Sequence, residues 1–210
     1  MKLIAAGRAS EIFDLGDGRV LRRFRAGGDA EREALAMEHA RSNGYPVPRV
    51  WEVGKDSLVL ERIDGPTMLD ELLRRPWSAR RHARLLAELH ERLHEIVAPE
   101  TLPAAGPGDK LLHLDLHPDN VILSPAGPVV LDWTNARRGE PALDVALTWV
   151  IAATSAGLRG RLFARSFLAH FDRAELLPAL PAAAELRIAD VNVSDRERQG
   201  VRRLLEREAP

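Results

Sequence analysis

Residues 111–133 read LLHLDLHPDNVILSPAGPVVLDW. The stretch holds His113-x-Asp115, then Asn120 five residues after Asp115, then Asp132 beyond a second apolar run. The two apolar runs, 121–123 and 129–131, flank Ser-Pro-Ala-Gly-Pro at 124–128, which has turn chemistry, so they read as a small hairpin. Three oxygen-bearing side chains therefore sit on loops beside short strands. Asp and Asn oxygens with open coordination suit Mg²⁺, which takes a few protein ligands and fills its shell with water and substrate phosphates. A carboxylate not spent on the metal can accept a proton from a hydroxyl. Phosphoryl transfer needs metal ligands, a group that orients the acceptor, and cations on the phosphates.

Upstream, residues 1–63 read as strands interrupted by one helix. Residues 3–6 form a short apolar run, 11–15 alternate, and 19–24 follow the turn Gly16-Asp17-Gly18. After Gly27-Gly28 comes a helix that Asp29 can cap and Gly44 ends, with Pro46 and Pro48 forbidding its continuation. Residues 49–53 and 57–62 look like two more strands. Past Asp64-Gly65-Pro66 the pattern becomes helical. Residues 67–75 make a short helix, and Ser78 is the expected cap of a long one over 79–97, where Leu85, Leu86, Leu89, Leu93, Ile96 and Val97 recur at helical spacing. From Pro141 the chain is helical, with breaks near Gly157, Pro178 and Asn192, and Ser194 with Glu197 marks the last helix start. The sum is an α+β, two-lobe chain: a small antiparallel β-sheet lobe with one helix at 1–63, a hinge near 61–66, and a larger, mainly helical lobe at 64–210.

HLDLHPDN followed by LDW resembles the aminoglycoside phosphotransferase and choline kinase-like enzymes, relatives of the protein kinases with their HxDxxxxN loop. The order of elements resembles that family over almost the whole chain, which implies a protein-kinase-like fold. The resemblance implies that Asp115 accepts or orients the acceptor hydroxyl, that Asn120 and Asp132 are the magnesium ligands, and that His113 shapes the loop. It implies that Gly7 to Ser10 is the phosphate-covering turn. It implies that Glu61 and Ile63, in Leu60-Glu61-Arg62-Ile63-Asp64-Gly65, offer their backbone to an adenine edge. Glu33 matches the acid that pairs with the third-strand cation, and Asp144 resembles the buried Asp that braces the loop. Protein kinases place a lysine in the third strand, whereas here it reads Arg19-Val20-Leu21-Arg22-Arg23-Phe24. Arg22 is the best match and Arg23 the next. An arginine fork can bridge phosphates and a carboxylate.

The implied activity is an ATP- or GTP-dependent, Mg²⁺-requiring transfer of the γ-phosphate to a hydroxyl of a small molecule: an aminoglycoside, an amino alcohol or a sugar-like compound. The alternative is a catalytically weak or inactive kinase-like binding or regulatory protein, which the missing lysine and the single-glycine loop motivate. The implied partners are a nucleotide and the hydroxyl acceptor.

Composition narrows the field. The chain has 210 residues, 45% of them hydrophobic, and a formal net charge of -1. It has no cysteine, which excludes thiol catalysis, cysteine-ligated zinc and disulfides. The near-zero charge gives no reason to expect nucleic acid. The best apolar run, residues 145–153, is too short for a membrane span, and the N-terminal run is broken by Gly7 and Arg8, so the expected location is the cytoplasm. All but Lys2, Lys55 and Lys110 of the 30 basic residues are arginine, so one arginine at one site says little. His90-Glu91-Arg92-Leu93-His94 has the H-E-x-x-H form of a zinc helix, and His113-x-Asp115-x-His117 could be a metal triplet on a strand. The first lacks a third glutamate ligand between Glu100 and Glu140, and Pro118 argues against the second. Residues 134–210 hold ten acids and twelve arginines, which gives no support to a polycationic acceptor.

Overall fold

The computed structural model describes residues 1–7, 10–25 and 28–208. Arg8 and Ala9 of the expected phosphate-covering turn, and Gly27 ahead of the first helix, lie outside the described residues. Strands β1 (Lys2–Ala6), β2 (Ser10–Gly16), β3 (Arg19–Phe24), β4 (Val50–Gly54) and β5 (Ser57–Glu61) form one antiparallel sheet in the order β1-β2-β3-β5-β4. The β2–β3 turn carries Gly16, Asp17 and Gly18 at positive φ, a conformation that favours glycine and tolerates Asp. Helix α1 (Ala30–Ser42) follows, with the Asp29 carboxylate accepting from the Arg32 amide at 2.9 Å and Gly44 at φ +77 just past its end. Its buried face is small apart from Met37 and Glu33.

The remainder is mainly helical. Helix α2 (Met68–Arg74) opens on a capping box of Thr67 and Asp70. Then come α3 (Ala79–His94), β6 (Lys110–Leu112), the hairpin β7 (Val121–Ser124) and β8 (Gly127–Val130), and β9 (Arg137–Gly139). Helices α4 (Pro141–Ser155), α5 (Gly157–Leu168), α6 (Arg173–Leu176), α7 (Leu180–Ala189) and α8 (Asp195–Glu208) complete the chain. Among the described residues no helix is long and apolar enough to cross a membrane.

Three details differ from the sequence expectation. Helix α3 stops at His94 instead of 97, because the Ile96 carbonyl accepts from the Leu111 amide and Val97 bridges to Lys110. Those backbone groups join the start of β6 instead of adding a helical turn. The Ser78 hydroxyl does not cap α3; it donates back to the Arg75 carbonyl at 2.7 Å. Strand β9 has no apolar alternation to reveal it and pairs with β6. There Gly108, at φ +95, lies so close to Gly139 that a Cβ would come within 2.6 Å of its carbonyl carbon.

One continuous core joins sheet and helices. It runs from Val20, Leu58 and Met37 through Leu86, Leu89 and Leu93 of α3 to Trp133, Trp149, Phe167 and Leu204. Removing such a buried leucine side chain costs about 2–5 kcal/mol. The link between the β part and the helices is fixed at Gly65, where φ is +151 and a Cβ would meet the Leu123 carbonyl oxygen at 2.5 Å. One residue on, the Pro66 carbonyl accepts from the Leu123 amide at 2.9 Å. The β part is thereby held against the β7–β8 hairpin, beside the loop that carries Asp115.

Candidate functional site

The 113–120 loop is shaped from below by Asp144 of α4. One carboxylate oxygen accepts from the Leu114 amide at 2.8 Å and the other from the His113 amide at 2.9 Å. Leu114 sits at φ +58, a left-handed conformation that costs about 1–3 kcal/mol for a residue with a side chain. The two amide donations to Asp144 hold that turn in place just ahead of Asp115. Full burial of Asp144 opposes its ionisation. The hydrogen bond from His94 at 3.1 Å outweighs that cost and holds its carboxyl well below the usual range. His90 lies in the same cluster, and burial pushes it down to about 3, so it stays neutral. Thr148 donates to the Leu116 carbonyl at 2.6 Å, so the 3.1 Å contact from His90 Nε2 must be a donation to Thr148.

His113 has both ring nitrogens in use. Nδ1 accepts from the Asp115 amide at 3.2 Å, which leaves Nε2 to donate to the Leu131 carbonyl at 2.9 Å. Burial lowers its pKa, in keeping with a neutral ring. Its expected role as a loop-shaping residue matches this geometry. The Leu131 amide in turn donates to the Asn120 carbonyl at 2.8 Å, tying the 113–120 loop to the segment that ends in Asp132.

These bonds join Asp115 and Asn120 directly and tie their loop to the segment that carries Asp132. Asn120 Nδ2 donates to the Asp115 carbonyl at 2.9 Å and to its carboxylate at 3.2 Å. With the amide nitrogen so placed, the Asn120 side-chain oxygen points away from Asp115. His117 Nε2 lies 3.3 Å from the other Asp115 oxygen. Asp132 is at φ +61, the second left-handed residue of the site.

Arg22 of β3 is the hub on the opposite side. It is buried, and its guanidinium meets Glu33 of α1 through Nη1, Asp132 at 2.6 Å and Thr134 at 3.2 Å through Nη2, and the Ser10 hydroxyl at 3.2 Å through Nε. One cation thus lies between two carboxylates. The more deeply buried, Glu33, has its carboxyl raised to about 7 by burial and by Asp132, against the pull of Arg22. Partial burial also pushes Asp132 up, but Arg22 and Thr134 outweigh it and hold that carboxyl below its ordinary value. Glu33 also accepts from the Trp133 amide at 3.1 Å and the Thr134 hydroxyl at 3.1 Å.

The structure brings Arg22, Glu33, Ser10 and Asp132 into one network, and Asp115 with Asn120 into another. Ser10 faces Arg22 instead of an open phosphate site. The Gly7 amide donates to the Ser10 carbonyl at 2.9 Å, so the two residues close a tight turn. Glu61 and Ile63 stand apart, at the sheet end. The Glu61 amide is spent on the Arg49 carbonyl at 2.8 Å, which leaves its carbonyl as the group it could offer an adenine. Arg23 instead pairs with Glu11 at the surface. Thr134 and His117, both in contact with the site acids, are additions; only His117 lay in a motif, and only as one member of a metal triplet. His113, with both nitrogens committed, does not join such a triplet. His90, His94 and Asp144 do come together, within 4.8 Å of one another. Asp144, however, gives both oxygens to the 113–120 loop, and Glu91 is exposed, so the H-E-x-x-H helix is a brace, with His90 and His94 buried more fully than a half-solvated helix face would have them.

The donor set fits Mg²⁺. One Asp132 oxygen and the Asn120 amide oxygen have no partner among the described residues, and hard oxygen donors in small number are what this ion takes. Beside His117 opens a cavity of about 1530 Å³, bounded by α2, α3, α4 and α5.

A family model described as the phosphotransferase enzyme family matches residues 71–186. A short stretch is 46% identical over 39 residues to the thiamine kinase of Salmonella paratyphi B (strain ATCC BAA-1250 / SPB7), covering 19% of this chain and 14% of that protein. Among solved structures, a thermostable mutant of aminoglycoside phosphotransferase APH(4)-Ia, in ternary complex with ADP and hygromycin B, superposes with a TM-score of 0.73 at 15% identity, covering 99% of this chain and 94% of that one. A choline/ethanolamine kinase family protein from Mesorhizobium loti gives 0.63 at 20% identity, covering 99% and 86%. The GDP and kanamycin complex of APH(2")-IIIa gives 0.66 at 14% identity, covering 99% and 92%. These likenesses establish a protein-kinase-like fold.

Proposed function

The chain belongs to the phosphotransferase enzyme family, and from that premise we propose that it transfers the γ-phosphate of ATP or GTP to a hydroxyl of a small molecule, with Mg²⁺. The observation that carries this reading is that the Leu131 amide, one residue before Asp132, donates to the Asn120 carbonyl at 2.8 Å, so the Asp115–Asn120 pair is tied to the segment that carries Asp132 and its Arg22 network. The relatives that bind ADP or GDP beside an aminoglycoside support a nucleotide donor and a small acceptor.

The residues divide the work. Asp132 and Asn120 would hold Mg²⁺, which when bound neutralises phosphate charge. Asp115, oriented by Asn120 and His117, positions the acceptor hydroxyl and takes its proton late. Arg22, backed by Glu33, lies where a phosphate-facing cation is needed; to reach a phosphate it gives up Asp132 and keeps Glu33. The β1–β2 connection that begins at Gly7 is assigned to the phosphates, with Ser10 acting through Arg22, and the Glu61 carbonyl with the Ile63 amide is assigned to the adenine edge. On this division residues 1–63 serve the nucleotide and residues 64–210 the acceptor. Because the transition state is loose, rate comes from positioning and electrostatics more than from basicity.

Replacing Asp115 by Ala tests this. ADP formation with a responsive alcohol should fall by about 10²–10⁴-fold, with nucleotide affinity little changed. Undiminished turnover in Asp115→Ala contradicts the assignment. One observation favours a second reading, an inactive binding protein: every nitrogen of Arg22 already has a protein partner. ADP release above background with any alcohol removes it.

A further inference from the structure

The cavity beside His117 carries a positive bias, which does not complement the cationic aminoglycosides bound in the similar solved structures. It adjoins the 117–119 turn, one contact from Asp115. Its apolar wall includes Leu72, Trp77, Ile151 and Phe163. Arg80, Arg81 and Arg84 of α3 and Arg159 and Arg165 of α5 stand around it, all exposed. Arg84 pairs with Glu88, whereas Arg80, Arg81, Arg159 and Arg165 have no carboxylate partner among the described residues. Among the described residues two acids, Asp119 and Glu197, line the cavity. Glu197 is engaged by Ser194, Arg187 and Ser155, which leaves Asp119 alone. The first turns of α3 and α5, which also line the cavity, hold no acid.

We propose that this cavity receives an alcohol that carries an anionic group, a carboxylate or a phosphate, on an apolar body; this rests on the phosphotransferase reading, with the hydroxyl presented to Asp115. The apolar wall takes the body, and the arginines take the anion. A polycation or a quaternary amine would meet four unpaired guanidinium groups and one free carboxylate. No single exposed arginine contributes much, so the selectivity is the sum over several. That sum decides the sign even in an arginine-rich chain, because the cavity lacks the acids that elsewhere offset them.

A matched set of probes tests it: 3-(hydroxymethyl)benzoate, 3-(hydroxymethyl)benzamide and 3-(hydroxymethyl)benzylamine, titrated calorimetrically into the protein at low and at high salt. The benzoate should bind at least about tenfold more tightly than the benzylamine, with the benzamide between, and salt should narrow the gap. The double variant Arg80→Gln/Arg159→Gln, at exposed positions free of ion pairs, should cut that preference about threefold or more. Equal binding, preference for the amine, an unchanged preference in the double variant, or no measurable binding of the benzoate overturns the proposal. ADP release with Mg²⁺-ATP is then read for each probe. A benzoate that binds and is never phosphorylated contradicts the phosphotransferase reading and leaves the cavity assignment standing. Turnover confined to the amine does the reverse.

Discussion

Arg22 is the residue on which most of the site depends. It pairs with Asp132 and Glu33 at once and ties both to Ser10, so removing it strands two carboxylates, one of them fully buried. Arg22→Met should destabilise the protein by about 3–5 kcal/mol, read as a shift in the urea midpoint, while Arg22→Lys should recover only part of that, since an ammonium lacks the fork that reaches all three partners. A loss within measurement error for Arg22→Met would show that the network is not what holds these acids. At this scale the sequence was informative where a motif has fixed spacing. Asp115, Asn120 and Asp132 fall on one pattern, and Arg22 and Glu33 follow from their places in β3 and α1. Thr134 and the inward turn of Ser10 were not legible, because their partners lie 101 and 12 residues away and only the folded chain brings them together.

The 113–120 loop owes its shape to elements beneath it. Asp144 of α4 fixes two amides, while His90 and His94 of α3 pack against that carboxylate. This arrangement has a pH signature. His90, pushed down to about 3 by burial, stays neutral when folded. The unfolded chain takes up a proton there near 6.5, so between about 6.5 and 3 the unfolded state binds the extra proton and stability falls as pH falls. The slope from one such group is about 1.4 kcal/mol per pH unit well inside that window. Asp144, whose folded pKa is depressed, adds a second loss only once the pH drops below the ordinary Asp value. Urea unfolding at pH 7, 5 and 4 should show His90→Leu losing about one proton's worth of this slope. An unaltered slope would mean that His90 is charged or solvated in the fold. Helices with apolar periodicity were readable to within a turn. The end of α3 was not, because Ile96 and Val97 continue its pattern yet bond to β6. Strand β9 was unreadable, since Arg137, Arg138 and Gly139 have no strand pattern and pair only because Gly108 lets the backbones approach.

Across the whole molecule, the five-stranded sheet and the helices meet along one core, and the site forms where β3, α1, the 113–120 loop and the segment after β8 converge. The two-part architecture was legible because the composition shifts from alternating runs to helical spacing near residue 64. The charge of the cavity was not legible, because the balance of acids and arginines over residues 134–210 averages over faces that point in different directions. On the proposed reading Asp132 belongs to a live metal–nucleotide site. Thermal unfolding with and without Mg²⁺-ATP, on the wild type and on Asp132→Ala, tests it most directly. Ligand at about 100 times its Kd should raise the wild-type Tm by about 5–10 °C, only when Mg²⁺ is present, and should leave Asp132→Ala unmoved. An equal rise in the variant, or no rise with either ATP or GTP in the wild type, would contradict the claim.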